Sequence, residues 1–322
     1  MKTYLVTGGA GFIGSHLIDK LLADESHKII CVDNFNDFYE PQEKRNNIAH
    51  HLGKSNFILA EGDISEREFI TKTFQNTKPD VVIHLAARAG VLPSISNIDE
   101  YYQTNVLGTM NILYAIKNQI PEKFIFASSS SVYGTNKKVP FSEEDALINP
   151  ASPYSATKIA AEAICRVYTN MYDIKTIILR FFTVFGPRQR PDLAIRKFIE
   201  KILKNEEIVL YGNGESARDY TYVDDIINGI TNAIEYKTEN CEIFNIGNST
   251  PVKLNKLVKI IEDNLGIKAK IKHTDMSKAD VPITFADITK SKRKLNYNPE
   301  IKLEKGIKKE IEWIKKVVSH KS

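Results

Sequence analysis

Cysteine is scarce in this chain. Cys31, Cys165 and Cys241 are the only three, far apart and with neither a CxxC pair nor a histidine at ligand spacing. That argues against a disulfide scaffold and against any metal site, and it fits a reducing compartment. No apolar run approaches the roughly 18 residues of a membrane span, and the opening MKTYLVTGGAGF has too short an apolar core for a signal sequence. Net charge is also small. The 44 Lys and Arg against 40 Asp and Glu leave +4, little support for a nucleic-acid partner. From Lys253 onward there are 18 basic and 9 acidic residues, so the part before it is net negative; solvated helix faces account for such a tail. The expectation is a cytoplasmic protein with no nucleic-acid or membrane partner.

What is present describes an ordinary globule. Hydrophobic residues at 42% and charged residues at 26% exclude a disordered or fibrous chain, and 322 residues suggest two lobes. Six short runs rich in Val, Ile and Phe begin at Tyr4, Ile29, Phe57, Val81, Phe124 and Thr176. They read as buried parallel strands. Helical patterns lie between them, clearest at Phe12 to Ala23, Glu66 to Phe74, Glu100 to Lys117 and Pro153 to Met171. Such alternation predicts an α/β fold, a Rossmann-type doubly wound parallel sheet. After Phe182 turn-formers cluster, separated by helices such as Asp192 to Lys204 and Val223 to Tyr236, and the chain closes on a helix from Leu303 to Val318. This predicts a first domain over residues 1–182, rejoined by a strand near 242–247, and a smaller C-terminal α/β substrate-binding lobe over 183–322.

The first predicted strand runs into a GxxGxxG turn, Gly8, Gly11 and Gly14, with Phe12 and Ile13 opening a helix. Glycine lets the backbone turn tightly and a pyrophosphate approach the helix N-terminus, whose unpaired N–H groups favour anions. Asp33, with Asn34, ends the next strand at roughly the ~20-residue offset where a carboxylate meets the adenosine ribose. An acid there repels a 2′-phosphate, so NAD is favoured over NADP. Asp63 and Ile64 after the third strand, and Leu85, Ala86 and Ala87 after the fourth, are placed to line the same ligand. Asn105 and Phe182, together with Tyr154 and Lys158 further on, complete the candidate cofactor set, Lys158 as a ribose ligand.

The candidate reacting groups lie further on. Tyr154 and Lys158, four residues apart at a helix start, share one face. A free phenol has a pKa of ~10; a neighbouring ammonium and a nicotinamide cation are both expected to lower it and make Tyr154 a general base. Four hydroxyls, Ser128 to Ser131, leave the preceding strand where a substrate alcohol would lie.

Together these motifs resemble the extended short-chain dehydrogenase/reductase family over nearly the whole chain, within it the nucleotide-sugar epimerases and dehydratases. The resemblance implies NAD, a catalytic set of Ser129, Tyr154 and Lys158 aided by Ser131, a UDP-sugar substrate, and a homodimer formed through the helices at Glu100 to Lys117 and Pro153 to Met171. Dehydratases of the family carry an Asp-Glu pair just after the catalytic hydroxyl and decarboxylases a Glu; Ser130 and Ser131 stand there instead, which favours 4-epimerisation. Arg218 resembles the family's diphosphate ligand, and Lys278 is a candidate for a second. The stretch from Arg180 to Asp192 looks more like UDP-glucuronate 4-epimerases than galactose-type enzymes, because Thr183 stands where the latter usually have Asn. Arg190, chosen over Arg188, is the expected partner of a C6 carboxylate. Thr284 is small where larger residues restrict some family pockets, so UDP-glucose and UDP-N-acetylglucosamine remain alternatives. A dehydratase or decarboxylase ranks behind these. A dinucleotide sensor without catalysis would need none of Ser129, Tyr154 and Lys158.

Overall fold

Twelve strands, β1 (Lys2–Thr7), β2 (His27–Asp33), β3 (Phe57–Glu61), β4 (Val81–His84), β5 (Lys123–Ser129), β6 (Thr176–Phe181), β7 (Thr183–Phe185), β8 (Glu207–Tyr211), β9 (Ala217–Tyr222), β10 (Cys241–Ile246), β11 (Pro251–Lys253) and β12 (Lys270–Thr274), are present among the described residues. The computed structural model describes residues 1–275 and 281–319; Lys278 lies outside the described residues. Seven strands build the main sheet in the order β10-β6-β5-β4-β1-β2-β3, every pair parallel.

The apolar runs explain this sheet. Alternate residues of one strand face opposite layers, and both layers are buried: Val6, Ile29, Cys31, Ile83 and Ile125 join one core, Leu5, Ile30, Val82, Phe124 and Phe126 the other. A strand covered on both faces has no polar face to show, hence the unbroken runs. The strand order reverses at β1, which pairs β2 on one side and β4 on the other. That switch point opens a crevice beyond the strands' C-terminal ends.

β10 lies beside β6, so a strand from late in the chain closes the edge of the main sheet. The rest of the second half holds more strand than its turn-rich sequence suggests: a three-stranded sheet, β11-β9-β7, and a β12-β8 pair. The structure differs from the sequence reading at two places. The helix read at Glu100 to Lys117 is α-helical over Ile98–Tyr101, π-helical over Tyr102–Gly108 and α-helical again over Thr109–Asn118. A helix at Pro41–Ile48 has no counterpart in the sequence reading; of its eight residues only Ile48 is a buried apolar side chain, so it carries no stripe to read.

Candidate active site

One cavity runs along the C-terminal ends of the strands, from the glycine turn to the second half of the chain. Gly8, Gly11, Phe12, Ile13 and Gly14 line its start. A Cβ at Gly14 would stand 2.2 Å from the Gly8 carbonyl oxygen, and one at Gly8 (φ +67°) 2.8 Å from the Ala86 nitrogen. Only glycine fits both places. The helix Phe12–Leu21 begins at Gly11 with no side-chain cap and no acid in its first turn, so its N–H groups stay open to an anion. Asp33 is buried and accepts from the backbone N–H of Ala10 (3.1 Å) and Phe35 (3.0 Å). Burial pushes its carboxyl up, and those two bonds with the charge of Lys44 work against that. Asn34 donates to Asp63 at 2.6 Å; Ile64, Leu85, Ala86 and Ala87 continue the wall. An uncapped helix start, a glycine cradle and a carboxylate at the next strand end fit NAD.

The reacting end is held by a buried polar frame. Ser128 Oγ donates to Glu162 at 2.5 Å, and Glu162 takes both Nε (3.0 Å) and Nη2 (2.8 Å) of Arg180. Arg180 Nη1 donates to the Tyr133 hydroxyl (3.0 Å), which donates to Asn245 of β10 (2.6 Å). This ties β5, β6, β10 and the helix Pro153–Tyr172 together beneath Ser129. Ser152 caps that helix by accepting from the Ser155 N–H, with Pro153 in its first turn. Tyr154 and Lys158 therefore point into the cavity beside Ser129, Ser130 and Ser131. Lys158 Nζ donates to the Ala127 carbonyl at 2.8 Å, and burial pulls its ammonium down to about 8. The protein's own groups push the Tyr154 phenol up. Burial raises it and outweighs the Ser129 hydroxyl and the Arg190 charge, which work the other way.

Phe182, Thr183, Arg190, Arg218 and Thr284 line the far end. Arg218 faces the cavity while Asp219 is turned inward, fully buried, accepting from the N–H groups of Asn248, Ser249 and Ala286. Thr284 Oγ1 accepts from the Asp219 N–H at 3.2 Å. Arg190 Nε and Nη2 hold both oxygens of Asp192, at 3.0 and 2.8 Å. Burial disfavours the Arg190 charge, and Asp192 more than offsets it. Arg188 instead pairs with Asp19 at 2.8 Å, away from the cavity. Asp19 also accepts from His50 (2.9 Å) and His51 (2.7 Å). These three residues form the one metal-sized group among the described residues, and the Arg188 charge already balances its carboxylate.

Asn105 is the exception among the expected residues. It does not line the cavity but stands behind it, its Oδ1 accepting from the Arg88 N–H (2.8 Å) and its Nδ2 donating to the Arg88 carbonyl (2.9 Å) and Thr157 (3.0 Å). The π-helical turn brings it there and puts its neighbour Thr104 in the wall. Sequence reasoning also missed Phe38, Tyr39, Lys44 and Arg88, all of which line the cavity. For the first three the only signal was a cluster of aromatic and basic residues after Asp33, whose direction depends on tertiary contacts.

Residues 5–310 match the family described as GDP-mannose 4,6 dehydratase. A UDP-glucuronate 4-epimerase of Thermodesulfobacterium geofontis is 39% identical over 316 residues, 98% of this chain and 97% of that protein. The crystal structure of a Bacillus cereus UDP-glucuronic acid 4-epimerase in complex with UDP-glucuronic acid and NAD superposes with a TM-score of 0.93 at 36% identity, covering 98% and 99% of the two chains. A UDP-glucose 4-epimerase of Thermotoga maritima with UDP-glucose follows at 0.90 and 34%, with the same coverage. With its parallel sheet, its glycine turn and a match over almost its full length, the chain belongs to the GDP-mannose 4,6 dehydratase family of extended short-chain dehydrogenase/reductases.

Proposed function

We propose that this protein is an NAD-dependent UDP-glucuronate 4-epimerase, an isomerase that interconverts UDP-glucuronate and UDP-galacturonate. One observation carries the reading. At the reacting end the cavity is lined by Ser129, Ser130, Ser131, Thr183 and the guanidinium of Arg190, whereas its carboxylates among the described residues, Asp33 and Asp63, both sit at the dinucleotide end. Dehydration of a 4-keto sugar needs an acid and a base near C5 and C6, and among the described residues the cavity lining offers no carboxylate there, Asp192 being held by Arg190. The family's name therefore does not transfer as an activity.

In this reading Tyr154 takes the proton of the C4 hydroxyl, with Ser129 hydrogen-bonded to the same oxygen. Bound NAD supplies the acceptor for the C4 hydride and a positive charge that favours the Tyr154 phenolate. The sugar turns, the hydride returns to the opposite face, and Tyr154 gives its proton back. Arg190 holds the C6 carboxylate so that the C5–C6 bond stays out of alignment with the π system of the C4 carbonyl, which suppresses loss of CO2 from the β-keto acid. Arg218 binds the diphosphate as a charged hydrogen-bond donor. Asn105 acts by fixing the Ala87–Arg88–Ala89 segment.

A second reading, UDP-glucose or UDP-N-acetylglucosamine 4-epimerase, is favoured by Asp192, which counters the Arg190 charge, and by the small Thr284. Incubation with each of the three UDP-sugars and NMR resolution of C4 epimers separates them; turnover of neutral sugars alone overturns the main reading. Residues 1–182 with β10 form the cofactor half and 183–322 the sugar half of the proposal. A homodimer is part of it too, supported by exposed Tyr102, Val167 and Met171 on the two helical segments expected to pair; a monomeric mass by light scattering contradicts it. So is a cytoplasmic location, supported by three free cysteines. No helix among the described residues is long and apolar enough to cross a membrane.

A further inference from the structure

Three segments distant in the chain meet on one aromatic ring. Phe38 lies five residues after Asp33, between β2 and the helix Pro41–Ile48. Arg88 comes from the connection after β4, and Arg190 from the one after β7. Their guanidinium carbons stand over the Phe38 ring, 5.5 and 5.1 Å from its centre. Two like charges share one ring because each arrives neutralised, Arg88 by Glu100 at 3.0 Å and Arg190 by Asp192 at 2.8 Å. The neighbouring residue repeats the contact, with Lys44 Nζ 4.8 Å above the Tyr39 ring.

A guanidinium is planar, so its direction is set once an edge and a face are fixed. Asp192 takes Nε and Nη2 of Arg190, and the Ala89 carbonyl takes Nη2 as well at 3.3 Å. The ring of Phe38 supplies the face. Among the described residues these contacts leave Nη1 as the group available to a ligand. A substrate carboxylate has one narrow approach to this cation, and that approach depends on a side chain from the cofactor half.

We propose that Phe38 is a positioning residue for sugar selectivity: it is the shelf that holds the Arg190 guanidinium at the angle a C6 carboxylate requires. The inference rests on the UDP-glucuronate reading above. It also couples the two ligand ends, since the backbone that starts at the ribose-facing Asp33 and Asn34 ends at the ring beneath the sugar-facing cation.

The test uses holoenzyme and two variants, Phe38→Leu and Phe38→Tyr, with kcat and KM measured on UDP-glucuronate and on UDP-glucose. Leucine keeps an apolar contact and loses the ring face, so KM for UDP-glucuronate should rise about fivefold to tenfold more than KM for UDP-glucose. Tyrosine keeps the face and should restore the ratio of the two sugars to within about twofold of wild type. Because selectivity is read as a ratio, a variant that merely folds poorly loses both sugars together and leaves the ratio in place. An unchanged ratio in Phe38→Leu, or no rescue by Phe38→Tyr, overturns the inference while the wild-type preference for uronate stands. A wild-type enzyme with no turnover of UDP-glucuronate overturns the functional reading and this inference with it.

Discussion

Replacing Arg190 with Met removes an attraction and uncovers a repulsion. Loss of a buried charge contact to substrate costs about 2–4 kcal/mol of transition-state binding. Both oxygens of Asp192 are held by Arg190 in the native protein, so the variant leaves that carboxylate facing the incoming uronate. Two carboxylates on either side of a vacated guanidinium, about 7 Å apart at an effective dielectric of about 20, repel by about 2 kcal/mol. The single variant should therefore lose about 4–6 kcal/mol on UDP-glucuronate, three to four powers of ten in kcat/KM. A double variant, Arg190→Met with Asp192→Asn, keeps the first loss and cancels the second, so it should recover about 2 kcal/mol. Neutral UDP-sugars experience neither effect. The assay is kcat/KM for UDP-glucuronate and UDP-glucose in wild type and both variants. Equal losses on the two sugars, or a double variant no better than the single, refute the reasoning.

Three further outcomes follow from particular contacts. Glu162→Ala strands a guanidinium that is almost wholly inaccessible and should cost about 3–5 kcal/mol of stability, read from denaturant midpoints; a loss below about 1 kcal/mol contradicts the network described. His84 is buried between Thr7 and Thr109, and burial holds its imidazole down to about 3. With the folded value below the unfolded one, its contribution is complete above the unfolded pKa of about 6.5 and declines as pH falls from there towards 3. Between pH 7.5 and 5.5 wild type should lose about 1.4 kcal/mol more than His84→Gln, and identical losses contradict this. Gly14→Ala places a methyl group 2.2 Å from the Gly8 carbonyl oxygen, so NAD binding measured by calorimetry should weaken at least about tenfold; wild-type affinity would show that the turn yields more easily than its geometry implies.

The six early strands were readable because burial on both faces leaves continuous apolar runs, and the glycine turn because it lies between such a run and an amphipathic helix. The reacting residues were readable for a local reason as well: Tyr154 and Lys158 share one helix face, and the serines leave a strand end. What escaped depends on distant parts of the chain. The helix Pro41–Ile48 lacks an apolar stripe, and the π-helical Tyr102–Gly108 breaks the period that sequence reading follows. Asn105 serves the backbone of Arg88, and nothing in its own neighbourhood says so. Burial, which raises the Tyr154 phenol, is a property of the whole fold, whereas the Lys158 spacing is local.

The central claim is that C4 is oxidised and re-reduced by one hydride that never leaves the enzyme. Incubating the purified protein with UDP-glucuronate carrying deuterium at C4, in ordinary water, tests it directly by NMR and mass spectrometry. The account predicts UDP-galacturonate with the deuterium retained at C4 and no UDP-pentose. Loss of the label to solvent, release of CO2, or an accumulating 4-keto product would contradict it.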